Sequence, residues 1–102
     1  MFMDRFDELR GKILPVLRFY AKQIAVFGSF ARGENTPESD IDILVTLKPP
    51  DERPVIGLKW FGLEEELSQL LETKVDLVSE DALNPYIRPY VEKEMVVLYE
   101  EG

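Results

Sequence analysis

From Asp40 to Leu47 the chain alternates strictly, between a run of turn formers (residues 32–39, Arg-Gly-Glu-Asn-Thr-Pro-Glu-Ser) and a Pro49-Pro50 stop. That pattern is a β-strand. Successive strand residues point to opposite faces, so Asp40 and Asp42 project together while Ile41, Ile43 and Val45 point the other way. A one-residue slip would bury both acids and expose the isoleucines, which locks the register. Two adjacent anions on a rigid strand repel and raise each other's pKa, and a divalent metal between them is the natural remedy.

The remaining elements follow from punctuation and periodicity. Asp4 to Leu14 carries Phe6, Leu9 and Ile13 at helical intervals, and Pro15 is expected to end that helix and open a short second turn through Phe19. Gln23 to Phe27 is a short apolar run stopped by Gly28, read as a buried strand. Asp51 to Pro54 is a polar connector. In the next helix Trp60, Leu63, Leu67, Leu70 and Leu71 fall on one face, with Glu64, Glu65, Ser68 and Glu72 on the other. Lys74 to Ser79 is a third strand, Leu83 to Glu94 is helical but broken by Pro85 and Pro89, and Met95 to Tyr99 is a last strand. Strands separated by helices imply an α/β or α+β sheet. At 102 residues without internal repeats, the expectation is one domain spanning 1–102.

Composition removes whole classes of chemistry. With no cysteine and no histidine, disulfides, Cys/His zinc sites, thiol nucleophiles and Ser-His-Asp arrangements are excluded. Carboxylates, hydroxyls, Lys and Arg remain, a set suited to oxygen-bound Mg²⁺ and to phosphoryl or nucleotidyl transfer. Residues 1–50 hold seven acids and seven bases, whereas residues 51–102 hold thirteen acids and five bases and carry the whole net charge of −8. No basic stripe exists to release counterions from a polynucleotide, so direct nucleic-acid binding is not expected, and the acidic half suits a basic protein partner or a solvated surface. No apolar run approaches the roughly 20 residues of a membrane span, and no secretory leader is read, so the expected location is cytoplasmic.

A chain that leaves a strand at Gly28-Ser29 and turns straight into a helix presents backbone N–H groups to phosphate oxygens. Ser29 adds a hydroxyl, and Arg32 can stand over the same phosphates as a fork of donors. Asp76, flanked by apolar residues of opposite facing, would add a third carboxylate from a neighbouring strand. A Gly-Ser turn alone is usually just a turn, and an Asp-x-Asp alone is usually a solvated strand end. Their combination at this separation is what singles out the segment.

The run GSFARGENTPESDIDILV resembles the signature of the DNA polymerase beta-like nucleotidyltransferase superfamily, Gly-Ser followed some ten residues later by Asp-x-Asp. Because the chain is little more than that core, it most resembles the minimal nucleotidyltransferases, antitoxins commonly paired with HEPN-type ribonuclease toxins. The resemblance implies the nucleotidyltransferase fold, a small mixed sheet with helices mainly on one face. It implies that Asp40 and Asp42 hold two Mg²⁺ ions, and that Asp76 joins one metal and helps deprotonate the attacking hydroxyl. Gly28 and Ser29 would grip the nucleotide phosphates, Arg32 would touch the triphosphate, and the backbone at Ser39 would lie near it. The implied activity is transfer of AMP from ATP to a hydroxyl, a tyrosine on the toxin.

Two other functions compete with this one. A non-catalytic antitoxin would silence the toxin by complex formation alone, and a third possibility is nucleotide addition to an RNA end, against which the missing basic surface argues. Beside the site, Arg32 has the plainer reading of an ion pair with a nearby glutamate, and Glu64-Glu65-Glu66 that of a solvated helix face. Tyr86, Tyr90 and Tyr99 read as packing residues, while Trp60 and Phe61 are the aromatics expected to reach a partner surface.

Overall fold

The computed structural model describes residues 4–101. In chain order these form α1 (Arg5–Leu17), β1 (Ala21–Phe27), α2 (Gly28–Arg32), β2 (Ile41–Leu47), a 3-10 turn (Pro50–Glu52), α3 (Lys59–Leu71), β3 (Val75–Ser79), a second 3-10 turn (Glu80–Ala82), α4 (Arg88–Glu94) and β4 (Val96–Glu100). The sheet runs β3-β2-β1-β4. β1 is antiparallel to both β2 and β4, and β2 is parallel to β3 through the α3 crossover, giving the mixed α+β sheet expected from alternating strands and helices.

The sheet separates two unequal apolar layers. Ile41, Ile43 and Val45 of β2 join Ile24 and Val26 of β1, Val75 and Leu77 of β3 and Leu98 of β4 beneath α1 and α3, which contribute Leu9, Ile13, Leu17, Leu63 and Leu67. Burying branched aliphatic side chains on this scale supplies most of the driving force for folding. The opposite face holds a much smaller cluster, Ala25, Leu44, Leu83 and Val91, with Phe27, Val78 and Met95 packed around it. α4 supplies Val91 as the one buried residue of that helix.

Several local expectations change. α1 does not stop at Leu14: it continues through Pro15 to Leu17, with Asp4 capping its start by accepting a hydrogen bond from the Asp7 N–H at 2.8 Å. Pro15 costs only the bond to the Gly11 carbonyl, and complete burial of Ile13 and Leu17 on either side offsets it. β2 begins at Ile41, which leaves Asp40 just outside the strand, and α4 begins only at Arg88, with Pro89 in its first turn where the missing N–H is harmless. Leu70 falls off the buried stripe of α3 and is 46% exposed. Tyr86 and Tyr90 do not pack; they are 86% and 72% exposed, whereas Tyr99 lies against the large cluster. Phe61 is exposed and Trp60 packs partly on the core.

The polar side of α3 is not simply solvated. β3 is an edge strand, and two of its outward N–H groups are taken by side chains of α3: Val75 donates to Ser68 Oγ and Leu77 to Glu64 Oε2, each at 2.9 Å. Ser68 in turn donates to the Glu64 carbonyl at 2.8 Å. Glu64 therefore belongs to the fold, against the expectation of a solvated face.

Candidate active site

β1 ends at Phe27 and the chain enters α2 at once, with Gly28 at φ +73°, a backbone conformation that L side chains rarely adopt. The second demand on Gly28 is spatial. A Cβ at that position would overlap the Asp42 carboxylate, whose Cγ would lie 3.2 Å away. The β1–α2 bend thus sits directly against Asp42, consistent with the pairing of Phe27 and Asp42 across the antiparallel ladder.

On its other side Asp42 stands opposite Asp76 in the parallel β2–β3 register. Residues paired in this way project to the same face, so the two carboxylates are neighbours there. Asp40, just upstream of β2, is partly exposed, and its Oδ2 lies 3.9 Å from Lys74 Nζ. The structure therefore brings Gly28, Asp42 and Asp76 together on the thinly covered face, with Asp40 beside them. Among the described residues no three acidic side chains converge closely enough to form a ready-made metal cage.

Electrostatics single out Asp42. Burial, then repulsion from Asp76, Asp40 and Glu94, pushes its carboxyl up to about 6, with Arg32 acting in the opposite sense. A partly buried acid at a crowded carboxylate cluster is the kind of perturbation that marks functional sites. The donors are hard oxygens of like charge, a set whose chemistry matches a divalent cation such as Mg²⁺.

Arg32 closes the last turn of α2 and is already engaged. Its Nε donates to Glu34 Oε1 at 2.9 Å and its Nη1 to Glu94 Oε2 at 2.6 Å. Hydrogen bonding to these two glutamates holds the guanidinium above its ordinary pKa. The plainer sequence reading, an ion pair, describes Arg32 here, but Glu94 is 62 residues away and no spacing pattern pointed to it. Ser29 lies in the first turn of α2, and its carbonyl accepts from the Glu34 N–H at 2.9 Å. Ser39 is occupied in its own turn: its hydroxyl accepts from the Thr36 N–H at 2.9 Å, and its N–H donates to the Thr36 carbonyl at 2.9 Å.

Comparison with known proteins identifies the family. Residues 11–98 match the nucleotidyltransferase domain family. A candidate protein adenylyltransferase of Methanocaldococcus jannaschii is 48% identical over 81 residues, covering 78% of either chain. Protein adenylyltransferase MntA of Thermococcus cleftensis is 44% identical over 79 residues, 78% of this chain and 76% of that one. The crystal structure of a toxin–antitoxin complex with AMP-PNP superposes with a TM-score of 0.75 at 26% identity, over 89% of this chain and 73% of the other. The match spans most of the chain and includes the Gly28 bend, Asp42 and Asp76: the chain belongs to the nucleotidyltransferase domain family.

Proposed function

We propose that this chain, read as one minimal nucleotidyltransferase domain over 1–102, transfers AMP from ATP to a tyrosine hydroxyl of a HEPN-type toxin in the cytoplasm and so acts as its antitoxin. The observation that carries the reading is the placement of Asp42 between Gly28 and its registered partner Asp76. Similarity to a protein adenylyltransferase and to a toxin–antitoxin complex holding an ATP analogue supports the nucleotide and the partner.

Asp40, Asp42 and Asp76 would hold Mg²⁺, two ions by resemblance to the superfamily. When bound, the metal supplies charge neutralisation for the triphosphate and lowers the pKa of an attacking hydroxyl. The chain's own groups do the rest. Gly28, lacking a Cβ, lets backbone and phosphate approach the acids. Ser29 and Arg32 would donate to phosphate oxygens, and the backbone at Ser39 would line the far side. Asp76, exposed at the mouth, would accept the proton of the acceptor hydroxyl as its oxygen attacks the α-phosphorus and pyrophosphate leaves.

Incubation of the chain with its partner toxin, ATP and Mg²⁺ should add the mass of AMP to the toxin in an intact mass spectrum, and Asp42→Ala should abolish the addition. A toxin left unmodified by the wild-type chain would refute transfer. The exposed aromatic side chains of Phe61, Tyr86 and Tyr90 favour a second reading, silencing by complex formation alone. That reading predicts that a chain carrying both Asp40→Ala and Asp42→Ala still protects cells.

A further inference from the structure

α2 carries Ser29 and Arg32 yet is only five residues long and buries none of its side chains. A helix this short has no stability of its own, so its position depends on what ties it down. One tie is at its front: Phe30 meets the Phe6 ring edge-on at a centroid distance of 5.8 Å, with the Arg5 guanidinium 4.4 Å from one ring and 4.6 Å from the other. The other tie is at its end, where Arg32 is gripped by Glu34 and Glu94.

The two glutamates differ. Glu34 lies in the loop directly after α2, and its side chain is 61% exposed, so it moves with the segment it holds. Glu94 is 25% exposed and closes α4, whose Val91 belongs to the smaller apolar cluster with Ala25, Leu44 and Leu83. The Arg32–Glu94 contact is thus the charged link from α2 to a helix seated on the sheet. It uses Nη1 and the Glu34 contact uses Nε; among the described residues no protein group hydrogen-bonds Nη2.

We infer that Glu94 is a positioning residue: by anchoring Arg32 to α4 it holds the guanidinium, and with it the Ser29 turn, at a fixed place beside Asp42 so that the remaining donors of the fork meet the nucleotide phosphates. This role rests on the nucleotidyl-transfer reading of the site. A pre-oriented arginine binds a phosphate without first losing rotamer freedom, so removing the anchor weakens nucleotide binding even though Glu94 itself repels the nucleotide's charge.

Calorimetric titration of the purified chain with ATP and Mg²⁺ tests the assignment. Glu94→Ala and Arg32→Ala should each weaken ATP binding about tenfold, while the double variant is no weaker than Arg32→Ala alone. Glu94→Gln keeps an acceptor oxygen at the same place and should recover binding to within about threefold of wild type. Melting temperatures should stay within about 2 °C, because the pair remains open to solvent on the Arg32 side and single ion pairs of this kind contribute little. Unchanged ATP affinity in Glu94→Ala, or losses that multiply in the double variant, would overturn the positioning role and leave the transfer reading standing. If Glu94→Ala does not fold, Glu94→Met, which keeps the length of the side chain and loses the acceptor, forms the same cycle with Arg32→Ala, and multiplied losses again overturn the role. A wild-type chain that neither binds ATP with Mg²⁺ nor transfers AMP would refute the transfer reading itself.

Discussion

The two faces of this sheet do different work although they share every strand. Beneath α1 and α3 the strands present Ile24, Val26, Ile43, Val45, Val75 and Leu77, all buried, in one continuous apolar layer. On the other face the same strands present Asp42 and Asp76, and the apolar cover shrinks to Ala25, Leu44, Leu83 and Val91. Along β2 the switch occurs at every step, Ile41 to Asp42 to Ile43. Stability is concentrated where no chemistry occurs, and the face that carries the acids is left thin enough for a substrate to reach them. The large layer can tolerate this division because it fixes the strand register by itself, so the carboxylates need contribute nothing to folding.

Four tests would break that division if it were wrong. The largest effect is expected from Asp42→Ala, which should lower kcat for AMP transfer about a thousandfold, roughly 4 kcal/mol of barrier, while lowering unfolding free energy by no more than about 1 kcal/mol. A denaturation midpoint that falls along with the activity would mean the acid face is structural after all. Next, Ile43→Ala on the packed face should cost about 4 kcal/mol of stability and its strand neighbour Leu44→Ala about 2 kcal/mol, measured by urea unfolding. Equal losses would erase the asymmetry. Gly28→Ala imposes both a positive φ and an overlap with Asp42, and should cost about 1–2 kcal/mol. Its transfer activity should fall by a larger factor than its stability, because the group displaced is the carboxylate.

The smallest effect is a slope. Asp42 titrates near 6 in the folded chain, above its ordinary 3.8, so the folded state binds its proton more tightly than the unfolded state does. In metal-free buffer with chelator, the contribution of Asp42 to stability should therefore be fullest below about pH 4 and be lost as pH rises through about 6. Asp42→Asn should flatten that slope, and a slope that persists in the variant would assign it to another group.

Much of this division was readable before any coordinates. The alternation around Asp40 and Asp42 was enough to place isoleucines on one face and acids on the other, because a period of two admits no other partition. Asp76 could be placed on a strand by its apolar neighbours, but its position opposite Asp42 depends on how far the α3 crossover carries the chain, which no local pattern encodes. The same holds for Glu94, whose partner Arg32 lies across the fold. Pro15 misled because local propensity marks it as a stop, and the burial of Ile13 and Leu17 outweighs that preference. Glu64 misled for the opposite reason: charge suggested solvent, whereas an unpaired strand edge needed an acceptor. Tyr86 and Tyr90 looked like core aromatics, but the prolines that shorten α4 leave them outside the cluster.

The capped margin of β3 also limits how copies of this molecule can associate. With Ser68 and Glu64 occupying two of its amide donors, β3 is a poorer template for an added strand than β4, the other edge of the sheet. Two molecules joined along β4 would bury the more open margin of each and present β3 outward at both ends. Growth beyond that dimer by main-chain pairing would have to displace two side chains of a helix.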